Sequence, residues 1–214
     1  MPEPEIYYAT YCDLDIENGG SMVKVDGNVV VVGSELTLVR EDHVNERGKE
    51  SERIVLGRGD QAMGFLPENV FRHVAPLMDK GWTCRAFAAA DVFDKRIDAH
   101  HVLAAVICYA PADAAAFGPF VDKIAHSIAK GEYPVIDLSA KAAAHIVDDG
   151  GASATVQPQK LPKLPKGTAY YKTKCTATER LVLAAADGNK GCYAGLAIVT
   201  FVIIFAIVWF LFLR

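Results

Sequence analysis

Hydrophobic and polar residues alternate along much of residues 5–110, which is the pattern of half-buried β-strands. In the segment 33–41, two leucines fall on one face of the expected strand, and a threonine and a valine fall on the other. Two apolar runs flank Asp26-Gly27-Asn28, which favours a hairpin because glycine tolerates positive φ. Strands are therefore predicted at 5–12, 33–41, 83–93 and 101–110, with pairs of short strands at 21–33 and 53–67.

Between residues 68 and 81 the apolar side chains recur at helical spacing instead. Pro76 lacks the N–H needed for an interior hydrogen bond, so the helix should be kinked or short there. Gly81 can supply the left-handed residue that ends it. The stripe expected to face the core consists of Val70, Phe71, Val74, Leu77 and Met78.

From residue 111 the pattern changes to helices followed by an irregular segment. Phe120, Ile124 and Ile128 are spaced for one face of a helix, and a shorter helix is predicted in 138–149. Residues 150–167 are rich in glycine, proline and lysine, which predicts an extended linker. After it, Thr176 stands three residues before Glu179, the capping-box pattern that opens a helix.

The run 194–213 is apolar throughout and contains neither charge nor proline. Its 20 residues would span about 30 Å as a helix, the hydrocarbon thickness of a bilayer. A single-pass transmembrane helix is therefore predicted at the C-terminus, with a tryptophan near its distal end where an indole suits the interface. The residues predicted to anchor the chain in the bilayer include Ala194, Leu196, Ile203, Trp209 and Leu213.

Flanking charges predict the orientation of this anchor. Four basic residues precede the run between 172 and 190, whereas only Arg214 follows it. The positive-inside rule then places the N-terminal domain in the cytoplasm. The five cysteines have no metal-ligand spacing and form an odd number, which fits reduced thiols in that compartment. Cys84 and Cys108 lie on predicted strands, where they are interpreted as small core residues.

Composition and motifs favour a binding module over an enzyme. The net charge of −4 argues against a strongly basic nucleic-acid surface, although eleven basic residues lie within 24–96 and several fall in 40–58. No nucleotide-binding, hydrolase or metalloprotease motif occurs, so neither catalysis nor a cofactor is predicted. His100 and His101 adjoin Asp98, but neighbouring residues of a strand point to opposite faces and do not readily share a metal ion.

An ordered set of short motifs in residues 33–92 resembles the HIRAN domain family. The family runs from a strand with an L-x-R-E element, through a loop and a short hairpin ending in G-Y-L-P, to a helix, a turn and a further strand. The corresponding stretches here are LTLVRE at 36–41, Asn45 in the loop, MGFLP at 63–67, APLMDKG at 75–81 and TCRAFAAADV at 83–92.

This resemblance implies a small OB-like β-barrel, closed or nearly closed, with one helix crossing it. HIRAN domains of chromatin-remodelling helicases bind single-stranded DNA at its 3′ end, so the resemblance also implies a nucleic-acid groove. Arginines and an aromatic ring serve phosphate binding and base stacking in such barrels. The nucleic-acid-binding candidates are Arg40 at the family's arginine position, Asn45, Arg53 and His73.

In one respect the chain departs from the family. Members that hold DNA ends usually show an aromatic residue just before an aspartate in the loop, and the loop 43–55 has neither, although Glu50 or Glu52 could stand near the acid's place. Arg40 could instead pair with Glu41 or Glu35 as an ordinary surface residue. Two functions therefore stay open: binding of single-stranded DNA, or recognition of a protein partner at the membrane.

Together these patterns predict an α+β chain, mainly β, of five parts. They are a HIRAN-like domain at 1–110 with its motif core at 33–92, a helical extension at 111–149, a linker at 150–167, a juxtamembrane segment at 168–193 and the transmembrane helix at 194–213. The predicted partners are the lipid bilayer, single-stranded DNA and a membrane-associated protein.

Overall fold

The computed structural model describes residues 6–16, 30–44, 48, 50–151 and 156–179. Within them the chain forms seven strands and three α-helices. In chain order these are β1 (Tyr7–Asp13), β2 (Glu35–Val44), β3 (Glu50–Arg58), β4 (Gln61–Phe65), α1 (Glu68–Asp79), β5 (Thr83–Asp94), β6 (Ala99–Tyr109), α2 (Ala114–Lys130), α3 (Ala140–Asp148) and β7 (Thr168–Lys172). The prediction of a mainly β, α+β chain is confirmed.

The strands form one antiparallel sheet in the order β1-β6-β5-β2-β3-β4, and β7 pairs with the far end of β5. The sheet is not closed, because the outer strands β1 and β4 form no ladder with each other. A single isolated bridge links the chain just after β1 to β4, with Asp15 and Phe65 exchanging hydrogen bonds of 2.9 and 3.0 Å. The closed barrel implied by the HIRAN resemblance is therefore not observed as a continuous ladder.

Each face of the sheet carries its own hydrophobic core. On one face, Phe117, Phe120 and Ile124 of α2 pack against β1, β5 and β6. On the other face, Val70 and Val74 of α1 pack over the side chains of β3 and β4. Because β5 and β6 are covered on both faces, their many alanines leave room for the two layers of helices.

Helix α1 follows the prediction closely. It continues only three residues beyond Pro76 and ends at Asp79. Gly81 then adopts a φ of 75°, the expected left-handed conformation, and its N–H bonds to the carbonyl of Met78 at 2.9 Å. The second predicted stripe is also correct, since Phe120, Ile124 and Ile128 of α2 are all buried.

The predicted linker is extended, but its described part lies against the fold. The N–H of Val135 bonds to the carbonyl of Gln157 at 2.8 Å, and Leu161 and Leu164 pack against the hydrophobic core that contains Phe117 and Phe120. The following residues form β7, so the segment after 167 begins as a strand of the sheet. Contacts divide the chain into two compact units, Met1–Cys175 and Thr176–Arg214.

At the start of the second unit the capping box is present as predicted. The Thr176 hydroxyl and N–H both donate to the Glu179 carboxylate at 2.9 Å, and the Glu179 N–H donates back to the Thr176 hydroxyl at 3.3 Å.

The predicted transmembrane helix, with Ala194, Leu196, Ile203, Trp209 and Leu213, lies outside the described residues, as does the hairpin predicted at 26–28. Among the helices that the structure describes, none has both the length and the apolar character needed to cross a membrane.

Candidate functional site

Arg40, the predicted phosphate-binding residue, is held between two carboxylates. Its Nε donates to Glu52 of β3 at 3.0 Å, and its Nη2 contacts the same carboxylate. Its Nη1 donates to Asp79 at the end of α1 at 2.6 Å. The hydrogen bond to Glu52, followed by that to Asp79, raises the pKa of Arg40 above its ordinary value. The guanidinium of Arg40 is therefore engaged on two sides.

Glu41 and Glu35, the ion-pair partners expected for Arg40 if it is an ordinary surface residue, instead bind other arginines. Glu41 accepts a hydrogen bond from Nε of Arg53 at 2.6 Å. Glu35 binds Arg85 through two hydrogen bonds of 2.8 and 2.9 Å. Arg40 is therefore ion-paired, as the alternative interpretation expected, but its partners are Glu52 of β3 and Asp79 of α1.

Arg53 does not share a face with Arg40. In the β2–β3 ladder Arg40 lies opposite Ile54, whereas Arg53 lies opposite Glu41. Paired residues project to the same face and successive residues to opposite faces, so the two arginines point to opposite sides of the hairpin. On its own side, Arg53 places its guanidinium carbon 5.3 Å from the ring centre of Phe65.

His73 is exposed on α1 and stacks on Tyr8 of β1, with 5.4 Å between the ring centres. It lies six residues before Asp79, which corresponds to about 9 Å along the helix axis. Asn45 lies outside the described residues. The structure thus places Arg40 and Arg53 on opposite faces of the β2–β3 hairpin and His73 on α1.

Carboxylates dominate the surface around Arg40. Asp42 and Glu52 lie directly opposite each other in the β2–β3 ladder, on the same side as Arg40. Like charges in this arrangement are normally destabilising, so their presence here is unusual. Glu52 and Asp79 bind the guanidinium of Arg40, and Asp42 lies two residues further along β2 on the same side. We call this set (Arg40, Asp42, Glu52 and Asp79) the acidic face.

Beside the acidic face, most of β2 has no neighbouring strand on its second side among the residues that the structure describes. Strand β5 pairs only with Glu35 and Leu36 of β2, and residues 37–44 have β3 as their sole strand partner among the described residues. The backbone N–H and C=O groups of Leu36 face β5. Since the direction of these groups alternates along a strand, those of every second residue after Leu36 point to the side without a described strand partner. We call residues 37–44 the β2 edge; the residues with outward N–H and C=O groups are Leu38, Arg40, Asp42 and Val44.

Two exposed valines border this edge. The side chain of Val39 is 55% exposed and that of Val44 is 59% exposed. Val39 lies opposite Val55, which in turn lies opposite Phe65, so an apolar row crosses three strands on the side away from the acidic face. The sequence showed the alternation of β2, but only the strand pairing within the described part of the chain shows that most of β2 has a neighbour on one side.

A buried carboxylate paired with a histidine was missed in the sequence. Asp91 of β5 is fully buried, and its Oδ1 lies 2.8 Å from Nδ1 of His100 on β6. The His100 ring lies between Phe93 and Tyr171, with ring centres 4.9 and 4.7 Å away. The acid closest to His100 in sequence is Asp98, whereas Asp91 lies nine residues away. The β5–β6 register, which sets Phe93 opposite His100, is the signal that would have indicated Asp91.

The prediction that His100 and His101 point to opposite faces is confirmed by their register, since they lie opposite Phe93 and Val92 respectively. Within the described part of the chain, no group of three or more histidine, cysteine or acidic side chains could hold a metal ion.

Asp91→Asn is expected to gain stability relative to the parent chain as pH rises. Burial raises the pKa of Asp91 above 3.8, and His100 and Lys172 offset part of this effect. The folded state therefore binds this proton more tightly than the unfolded state. The resulting stability is complete below the unfolded pKa and is lost as pH rises through the folded pKa.

The measurement is denaturant unfolding of both chains at a series of pH values that rises from about 3. The difference in unfolding free energy should move in favour of the variant as pH rises. An unchanged difference would show that Asp91 titrates alike in both states.

A cavity of about 540 Å³ lies between α2, α3 and the segment 135–139. Phe120 and Ile146 form its apolar part, and Asp137, His145 and Asp149 contribute polar side chains. Nothing in the sequence pattern pointed to it.

Comparison with protein-family models, with curated proteins and with solved structures finds no match to the chain. The resemblance to the HIRAN domain family accordingly rests on the short motifs alone and stays a prediction.

Proposed function

We propose that the chain is a membrane-anchored interaction module whose β2 edge binds an extended, basic segment of a partner protein. The observation that carries this proposal is that, among the residues that the structure describes, the β2 edge has no strand on its second side, between the acidic face and the exposed Val39. A peptide added beside β2 would satisfy the outward backbone groups and extend the sheet by one strand.

Strand alternation specifies the side chains of such a peptide. Successive residues of an added strand point to opposite faces of the sheet. On the side of Asp42 and Glu52, the residues that lie beside these carboxylates should be lysine or arginine. Those on the side of Val39 would meet the apolar row and should be apolar. The favoured partner is therefore a strand of alternating basic and apolar residues.

Ion pairing favours this partner over a nucleic acid. Phosphate binding draws on lysines and arginines that exchange counterions for phosphate. Arg40 would first have to leave Glu52 and Asp79, and Arg53 would have to leave Glu41. The three carboxylates of the acidic face would also repel a polyanion. A cationic peptide encounters the opposite potential.

Binding of single-stranded DNA is the competing proposal. It is supported by the order of the HIRAN-like motifs and by the placement of Arg40 at the family's arginine position. The DNA-binding proposal includes a more specific proposal for the fold, which is an OB-like barrel crossed by α1. The bridge between Asp15 and Phe65 supports that proposal, since it joins the two ends of the open sheet at one point.

The anchor belongs to the proposal as well. The apolar run 194–213 and its flanking charges support a C-terminal transmembrane helix with residues 1–175 in the cytoplasm. The partner segment would then be presented at the membrane surface.

The charge reversal Asp42→Lys separates the two proposals, because its expected effects have opposite signs. It should weaken binding of a peptide of alternating lysine and valine by about tenfold or more, since one attractive carboxylate becomes a repulsive ammonium. The same change should strengthen any binding of single-stranded DNA. Fluorescence anisotropy with labelled peptide and labelled oligonucleotide, on the full-length chain in detergent, measures both.

The matched control is Asp148→Lys, which makes the same charge change at an exposed position of α3. It should leave peptide binding unchanged within about twofold. Arg40→Ala adds a second criterion, since it should weaken DNA binding but not peptide binding. Binding of the oligonucleotide alone, weakened by Arg40→Ala, would reject the peptide proposal in favour of the nucleic-acid one.

A further inference from the structure

Two cysteines face each other across the centre of the sheet. The β5–β6 ladder sets Cys84 directly opposite Cys108. Directly paired residues of antiparallel strands project their side chains to the same face. Both are reduced in the structure. Whether a disulfide bond can join the two cysteines depends on whether they form a hydrogen-bonded or a non-hydrogen-bonded pair of the ladder.

Hydrogen bonds on the far side of β5 fix the orientation of Cys84. The Ala88 N–H donates to the Ser34 carbonyl at 3.0 Å, and the Ala88 carbonyl accepts from the Gly33 N–H at 2.8 Å. The backbone of Ala88 thus faces the chain that leads into β2. Alternation along the strand turns the backbone of Cys84, four residues earlier, to the same side and away from β6.

The far side of β6 gives the matching result. The Leu14 N–H donates to the Val102 carbonyl at 2.9 Å, so the backbone of Val102 faces the chain that continues β1. Alternation places Cys108, six residues later, in the same orientation and away from β5. Cys84 and Cys108 therefore form a non-hydrogen-bonded pair, the closer kind, with about 4.5 Å between Cα atoms. A disulfide accepts Cα separations of about 4.4–6.8 Å.

The two thiols differ in the way that thiol–disulfide exchange requires. The side chain of Cys84 is partly exposed, whereas Cys108 is fully buried. A hydrogen bond from Cys108 lowers the pKa of the Cys84 thiol, and the same bond together with burial raises that of Cys108. Cys84 is thus the accessible nucleophile, and Cys108 lies within reach behind it.

We propose that Cys84 and Cys108 form a redox-active dithiol that exchanges with small disulfides. The Cys84 thiolate attacks one sulfur of a small disulfide, forms a mixed disulfide and releases one small thiolate. Cys108, losing its proton to that thiolate, then attacks the sulfur of Cys84 and releases the second small thiolate, which takes up the proton first lost from Cys84. Two protein thiols are oxidised to one cross-strand disulfide, and one small disulfide is reduced to two thiols.

Other cysteines of the described chain lack this arrangement and serve as controls. Cys12 lies opposite Ala104, and burial raises its thiol pKa to about 12. Cys175 is buried outside the strands. Neither faces a second cysteine in the ladders. In the predicted cytoplasmic setting a disulfide would be transient, which suits a reversible redox site rather than a structural staple.

The test is incubation of the reduced full-length chain with oxidised glutathione, followed by alkylation and non-reducing peptide mass spectrometry. The expected product is one intramolecular disulfide joining the peptides of Cys84 and Cys108. It should also form in Cys12→Ala and Cys175→Ala. Cys108→Ala should stop at glutathione on Cys84, and Cys84→Ala should leave Cys108 unmodified.

Two results would overturn the proposal. One is a mixed disulfide that persists on Cys84 in the parent chain with Cys108 still reduced. The other is a parent chain in which neither thiol reacts. Both are read on the parent chain, so they do not depend on whether the alanine variants fold.

Discussion

Phe117→Ala is expected to lower the free energy of unfolding by about 3–5 kcal/mol. Phe117 is fully buried at the start of α2. Its ring centre lies 5.0 Å from that of Tyr7 and 5.7 Å from that of Tyr109, so it joins the helix to β1 and β6. Truncation would remove both aromatic contacts and leave a cavity that the rigid sheet cannot close.

Denaturant unfolding of the parent chain and the variant measures this loss. His126→Ala, an exposed position on the same helix, is the control and should change the free energy by less than about 0.5 kcal/mol. A loss below about 1 kcal/mol for Phe117→Ala would mean that α2 does not pack on the sheet as described.

Gly33→Ala is expected to cost about 2–5 kcal/mol of stability. The φ of Gly33 is 87°, a conformation in which a residue with a Cβ is strained by about 1–2 kcal/mol. A Cβ there would also lie 2.5 Å from the Ala129 Cβ and 2.8 Å from its Cα, which adds an overpacking cost of about 1–3 kcal/mol. Glycine thus permits both the left-handed backbone that leads into β2, where its N–H donates to the Ala88 carbonyl, and the close approach of α2.

Gly59→Ala separates these two contributions. Gly59 has a similar φ of 60°, but a Cβ there would meet nothing within 4 Å. Its substitution should therefore cost only the backbone strain of about 1–2 kcal/mol. Equal losses for the two variants, measured by thermal or denaturant unfolding, would show that α2 does not approach Gly33 closely.

Local patterns were sufficient to predict most elements of the described fold. The alternation in 33–41 and the helical stripe ending at Gly81 depend on neighbours in sequence, and both were correct. The role of 156–172 could not be predicted in this way. Its proline-rich composition indicates an extended chain, but whether such a chain lies on the fold depends on partners such as Val135 and β5, which are distant in sequence.

The candidate site was less predictable for the same reason. Arg40 was identified, yet its partners Glu52 and Asp79 lie 12 and 39 residues away along the chain. The opposite orientation of Arg53 depends on the ladder register, in which a shift of one residue reverses every side chain. The sequence showed several basic residues within 40–58 but not where they lie, whereas the folded hairpin places Asp42 and Glu52 on the same side as Arg40.

The proposed redox pair could be identified only from the strand register and not from the positions of the cysteines in the sequence. Cys84 and Cys108 were interpreted from sequence as separate core residues. Only the pairing of β5 with β6 sets them opposite each other, and only the neighbouring ladders show that the pair is of the close kind. The site therefore became visible through strand pairing rather than through cysteine spacing.

The central claim is that a basic strand binds along the β2 edge, and hydrogen exchange detected by NMR tests it most directly. The full-length chain is compared with and without the peptide of alternating lysine and valine. We predict slowed exchange at the outward amides of Leu38, Arg40, Asp42 and Val44, because these would donate to the added strand. Unchanged exchange at these four amides under saturating peptide, or slowed exchange confined to other elements, would contradict the account.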